Sequence, residues 1–327
     1  MSGFAPNTIP PHATGLHVAC EAGMNRETPV RVPVVFVNAY LVDTTPGRPA
    51  DGWVLLDTGL RGLGELAVKR AAAARYGADS RPRAIVLTHG HFDHAGSAAS
   101  LAEAWGTPVF AHRLELPFLT GESDYPPADP TVGGALAMMS RTFPRRGPDL
   151  NGHVQPLPTD GTVPFLPGWR AIETPGHTAG HVSLWRESDG TLLAGDALAT
   201  MNQESWATTV TMPRELRWPP IPLTTDWDAA LDSVRRLAAL RPRRIAAGHG
   251  LPMAGEHLAD AFELFARRLT PPTHGRYVRE SVSTDEHGVR TMPAPVPDPV
   301  GSRLLAVAGS AVLGALILAL ARDRRRT

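Results

Sequence analysis

Thr88-His89-Gly90-His91-Phe92-Asp93-His94 packs three imidazoles and a carboxylate into six consecutive positions, 89 to 94. Ala84-Ile85-Val86-Leu87 precedes it, a short apolar run that reads as a buried strand, so the cluster falls in the loop at a strand end. Neutral imidazole and carboxylate are the ligands that suit zinc and similar borderline metals. Without a metal, each of these polar groups would need its own hydrogen-bond partner in a crowded loop. The stretch therefore reads as a metal-binding loop on a sheet.

Four further stretches extend the pattern. Val54-Leu55-Leu56-Asp57-Thr58-Gly59 precedes the loop, and Thr174-Pro175-Gly176-His177-Thr178-Ala179-Gly180-His181 follows it. Leu192-Leu193-Ala194-Gly195-Asp196 and Ile245-Ala246-Ala247-Gly248-His249-Gly250 complete the set. In this order the five resemble the motifs of the metallo-β-lactamase superfamily of hydrolases, over about residues 30 to 255. The resemblance implies an α+β fold, the four-layer αβ/βα sandwich of that family. It assigns His89, His91 and His177 to one metal, Asp93, His94 and His249 to a second, and Asp196 to a bridge. The implied cofactor is two zinc ions per chain, with iron or manganese as alternatives, and the implied chemistry is attack on an acyl bond by a metal-bridged hydroxide.

Asp93 and Asp57 are the candidate catalytic residues, Asp93 being a ligand as well. No motif makes Asp57 a ligand; it is read as orienting a histidine by hydrogen bonding, or else as capping the Thr58-Gly59 bend. His181 matches a structural position of the family and is left out of the ligand set, and His112 has no assigned role. His91 stands where the di-iron, oxygen-reducing branch has Glu, which favours zinc. No motif cysteine is present, against the penicillin-degrading enzymes that carry one. The chain looks closer to the glyoxalase II-like hydrolases of thioesters, lactones or esters, although it lacks their basic C-terminal signature for glutathione.

The rest of the composition bounds function from outside. The 327 residues are 43% hydrophobic and 20% charged, and Lys+Arg and Asp+Glu are both 32. Zero net charge leaves no electrostatic footprint for nucleic acid, so the expected partner is a small-molecule substrate. Lys69 is the only lysine and Cys20 the only cysteine. An intrachain disulfide is thereby excluded, in keeping with a reducing compartment.

Taken in order, residues 1–33 read as a Pro-rich irregular segment without a secretory signal. Residues 34–270 read as the catalytic domain, with strands at 34–42, 53–56, 84–87, 109–111, 169–174, 182–185, 191–194 and 244–247. Helices are expected at 64–76, 95–105, 226–240 and 255–269, the first stopped by Gly77. Residues 115–158 break the rhythm and read as a lid, a binding wall or a core-extending insertion. Phe118, Tyr125, Trp206 and Trp218 are the expected apolar walls of the pocket. Residues 271–300 read as a hairpin across Asp285-Glu286-His287-Gly288 followed by a Pro-rich linker.

Residues 301–327 carry an 18-residue apolar run at 304–321 ahead of four arginines. As a helix it is about 27 Å long, just short of a bilayer core. It is expected to anchor a cytoplasmic catalytic domain at the inner membrane face, with a buried or partner-packed helix as the alternative. Two other functions keep much of the ligand set: a mononuclear iron persulfide dioxygenase and a non-catalytic, membrane-associated metal binder.

Overall fold

The computed structural model describes residues 29–298. Two antiparallel strands, β1 (Val30–Val34) and β2 (Val37–Asp43), come first, joined through Val35 and Phe36. The sheet therefore starts before residue 34, inside the segment expected to be irregular. Pro33 masks this in the sequence, but β1 is an edge strand and needs no amide donor on its outer side. β3 (Trp53–Leu56) pairs antiparallel with β2. The helix α1 (Leu63–Tyr76) follows and ends at Gly77, as its sequence predicts. β4 (Ile85–Val86), α2 (Ala98–Trp105) and β5 (Val109–Ala111) come next. Between 115 and 158 lie α3 (Leu116–Leu119), α4 (Gly134–Ser140) and the short strand β6 (Val154–Pro156). The first sheet runs β1-β2-β3-β4-β5-β6, parallel from β3 onward.

The second half builds β7 (Trp169–Glu173), β8 (Val182–Arg186), β9 (Thr191–Gly195), α5 (Trp206–Thr211) and α6 (Trp227–Ala239). Asp226 caps α6, its carboxylate accepting from Ala229 N at 3.0 Å. β10 (Arg244–Ala247), β11 (Met253–Ala254) and α7 (Leu258–Arg268) follow. The second sheet is ordered β11-β10-β9-β8-β7, with β9 and β10 parallel. A separate hairpin, β12 (Ser283–Asp285) and β13 (Gly288–Thr291), turns where its sequence predicts. The stretch before it is tied to the body: Tyr277 Oη donates to Pro127 O at 2.6 Å and Val282 N to Thr225 O at 3.1 Å.

Side-chain alternation decides the layering. In β2 and β3, Ala39, Leu41, Trp53 and Leu55 face the core under α1 and α2. Their neighbours Tyr40, Val42, Val54 and Leu56 face a core shared with Leu184 and Leu193 of the second sheet. In β9, Leu192 and Ala194 face Val234, Leu237 and Phe262 of α6 and α7, while Leu193 faces the first sheet. Two sheets thus lie face to face with helices outside, which is the expected αβ/βα sandwich. Truncating Leu56 or Leu193 to alanine in the shared core should cost about 2–5 kcal/mol. The apolar run at 304–321 lies outside the described residues. Among those described, no helix is long and apolar enough to cross a membrane.

Candidate metal centre

The fold brings the motif residues together because parallel neighbours end side by side. Asp57 follows β3, and 88–94 follow β4, its parallel partner. Asp196 follows β9 and His249 follows β10, again a parallel pair, while His177 sits in the turn between β7 and β8. Val182 N donates to Thr88 O at 2.9 Å, stitching the second histidine motif to the first. Gly248 permits the closest approach: a Cβ there would collide with Asp196 Oδ1 and the His94 ring.

Three overlapping sets of side chains converge: His89, His91, His177; His89, His94, Asp196; and Asp93, His94, His249. Within each, the ligand atoms lie within 4.8 Å of one another and every residue is buried. Asp196 Oδ2 stands 3.3 Å from His94 Nε2, 3.3 Å from His249 Nε2 and 3.6 Å from His177 Nε2. His249 Nε2 is also 3.5 Å from Asp93 Oδ2, and His91 Nδ1 is 3.0 Å from His177 Nε2. His89 Nε2, His94 Nε2 and Asp196 Oδ1 are buried without a hydrogen-bond partner. Native interiors rarely leave such atoms orphaned, so a donor set of imidazole and carboxylate with orphaned lone pairs fits a cation.

The electrostatics point the same way. Burial drives His89 and His177 well below the ordinary histidine value and His91 down to about 3, so these imidazoles are neutral donors. Burial also opposes charge on His94 and His249, yet Asp196 and Asp93 pull both upward. Asp196 is held well below the carboxylate range against its own burial, by His249 and His94. Two buried carboxylates, Asp93 and Asp196, face these histidines and require positive charge there.

Supporting residues fix the ligands. Asp57, left-handed at φ 56°, accepts from Thr88 N and Thr88 Oγ1, both at 2.8 Å, and pairs with His94 Nδ1 at 2.9 Å. That leaves His94 Nε2 pointing inward. His249 Nδ1 is likewise tied to Phe36 O at 2.9 Å. His181 has both nitrogens engaged: Nε2 accepts from Asp196 N at 2.9 Å, and Nδ1 meets Thr174 Oγ1 at 2.7 Å. His112 accepts from Leu114 N and lies 3.2 Å from Glu173, outside the cluster.

Glu115 escaped the sequence reading. Fully buried, its Oε2 accepts from Gly90 N at 3.0 Å and from Tyr125 Oη at 2.5 Å. Its Oε1 accepts from Thr178 Oγ1 at 2.7 Å and Gly180 N at 2.9 Å. One carboxylate therefore clamps the loop of His89 and His91 to the loop of His177. The only sequence signal was an acid at the start of an otherwise apolar Leu116-Pro117-Phe118-Leu119.

The expected pocket walls need correction. Phe118 is buried and stacked on Tyr125 at 4.2 Å, behind the metal loop, because its neighbours in α3 pack into the body. Trp218 packs edge-on against Trp227, and Trp206 is 58% exposed. Of the four, only Tyr125 meets a candidate ligand, its ring 4.5 Å from His91. The cavity beside His249 is lined instead by Phe36, Leu136, Met139, Phe143 and Met201. α4 of the 115–158 insertion supplies one side of this cavity.

A sandwich of two facing sheets with His/Asp clusters at its strand ends is the architecture of a metal-binding α/β domain. Over residues 32–249 the sequence matches the metallo-beta-lactamase superfamily, and the chain belongs to it. It is 42% identical over 238 residues to the probable metallo-hydrolase YflN of Bacillus subtilis (strain 168), covering 72% of this chain and 89% of that one. Similarity to a hydroxyacylglutathione hydrolase of Alkalilimnicola ehrlichii is 34% over 118 residues, only 36% of this chain and 34% of that protein. Among solved structures, a beta-lactamase domain protein from Burkholderia ambifaria is alike in fold, with a TM-score of 0.51 at 20% identity over 79% of this chain and 78% of that one.

Proposed function

We propose that the chain is a dinuclear metal-dependent hydrolase that cleaves an acyl bond, in a thioester, lactone or ester, of a small and partly apolar substrate. The observation that carries this reading is the pair of buried triads, His89/His91/His177 and Asp93/His94/His249, on either side of Asp196. Each triad would hold one metal, and Asp196 stands between the two sets. The all-nitrogen-and-oxygen donor set suits zinc, with iron or manganese distinguished by metal analysis. Bound there, the metals supply Lewis-acid polarisation and a nucleophile made from water at neutral pH.

The protein's share is positioning. Asp57 fixes the tautomer and direction of His94, and the Phe36 carbonyl does the same for His249. Glu115 holds the two histidine loops at their mutual distance, and the burial of every ligand keeps bulk water out. Asp93 stands with its Oδ2 3.5 Å from His249 Nε2, where its carboxylate would help hold a metal and orient what binds there. The similarity to YflN, itself named a probable metallo-hydrolase, supports a hydrolytic reading. The short match to hydroxyacylglutathione hydrolase supports the thioester among the candidate bonds.

The test is metal content of the purified protein together with turnover on a panel of thioesters, lactones and esters. Two metals per chain with acyl hydrolysis is the expected result. One iron per chain with oxygen uptake on a persulfide would move the protein to the dioxygenase class. Full metal loading without turnover of any substrate would leave a non-catalytic metal binder. The apolar run at 304–321 carries the membrane-anchor reading by its sequence, and fractionation of the full chain beside one ending at residue 299 tests it.

A further inference from the structure

The cavity beside His249 measures about 50 Å³ and is lined almost wholly by apolar side chains, Gln203 and His249 being the exceptions. Packed interiors leave few voids larger than a water molecule, so a gap of this size next to candidate ligands is space this chain does not fill. Its walls are fixed. α4 docks on the 201–204 loop through Ala135 N to Glu204 O at 3.0 Å and Leu136 N to Gln203 O at 3.2 Å. Gly133 and Gly134, both at positive φ, bring the helix in against Glu204, where a Cβ on Gly134 would collide. Phe143 packs on Phe92 at 5.1 Å, so this wall is continuous with the metal loop. Phe36 stacks on the His249 ring at 6.2 Å and is 37% exposed, so it forms the mouth.

We propose that this cavity seats the short aliphatic acyl arm of the substrate. This rests on the hydrolase reading and names its substrate class: short-chain aliphatic acyl compounds. The cavity borders the ring of His249, whose Nε2 faces Asp93 and Asp196, so it opens beside the candidate ligands. The acyl arm is assigned to it as the part common to thioester, lactone and ester, whose leaving groups differ. The apolar lining offers a carbon chain the favourable transfer that a charged or sugar-like arm would lose.

The test is a chain-length series of acyl thioesters, from two to eight carbons, on the metal-loaded protein and two variants of opposite sense. In the native protein kcat/KM should rise about fourfold per methylene and level off within the series. Met139→Ala should move the plateau about two carbons longer, and Leu136→Phe should move it shorter. Plateaus unchanged in both variants would overturn the assignment, as would shifts confined to a matched series lengthened on the leaving-group side. Should one variant fail to fold, the other still decides. If no acyl compound is hydrolysed, the hydrolase reading fails, and the cavity is judged by binding alone. The methyl resonances of Met139 and Met201 should then move on titration with butyrate while Met253 stays still; no movement overturns the acyl seat.

Discussion

Replacing Glu115 with glutamine keeps its shape and removes half its accepting capacity. Four donors converge on the carboxylate: Gly90 N and Tyr125 Oη on one oxygen, Thr178 Oγ1 and Gly180 N on the other. The amide oxygen of glutamine can serve one pair, leaving its NH2 facing the other. The hydroxyl of that pair can rotate and donate elsewhere; the backbone N–H cannot. A hydrogen bond to a charged group contributes about 1.5–3 kcal/mol, and an orphaned buried donor costs about 1–3 kcal/mol more. With partial relaxation, Glu115→Gln should lose about 3–4 kcal/mol, a large share of the 5–15 kcal/mol typical of a domain. Urea denaturation of the metal-free protein measures it. Because the clamp spaces the His91 and His177 loops, metal affinity should fall as well, about 10–100-fold by competition with a chelator. A variant within 0.5 kcal/mol of native that holds metal as tightly would refute the clamp.

Asp196→Ala should lose both metals and all turnover, whereas Asp57→Asn should keep the fold and weaken metal binding about 10–100-fold, both read by metal analysis. Chelation should lower the melting temperature and raise its sensitivity to pH, since two facing carboxylates and His94 are left to find protons. Burial pushes the Glu204 carboxyl up to about 7, with Arg217 pulling the other way. The folded state therefore holds a proton that the unfolded state has released above pH 4.5, so stability falls as pH rises from about 4.5 through 7. The gap is worth about 3 kcal/mol once Glu204 is ionised. Glu204→Gln should accordingly stabilise the protein at pH 8 and change little at pH 5, and equal melting shifts at both values would contradict this.

The strands that carry ligands were legible because each is a run of buried Val, Leu, Ile and Ala leading directly into a polar cluster. Their chemistry is local in sequence, as in 88–94. What escaped the sequence is long-range or short. Glu115 gains its meaning from donors 10 to 65 positions away. β1 hides behind Pro33, and β11 spans two residues, too few to show a period. The pocket wall was misplaced because aromatic side chains were taken as lining. In the fold Phe118 and Trp218 are spent on packing, and the lining falls to the less conspicuous Leu136, Met139 and Met201.

The start of β2 is buckled to the far sheet. Asn38 Nδ2 reaches Ala247 O and Gly250 O at 3.0 and 2.8 Å, Asn38 N reaches Gly248 O at 2.8 Å, and Tyr40 Oη reaches Ala247 O at 2.7 Å. One half of the chain therefore grips the loop that offers His249, while the other half contributes Asp196 and His177. Opening this seam would carry His249 away from the ligands of the first half. An ion held between them would then be lost through that opening, as protons exchange from a protected core when it opens. The protein should accordingly surrender metal to a chelator at a rate independent of chelator concentration, and Asn38→Ala should quicken that rate without touching a single ligand.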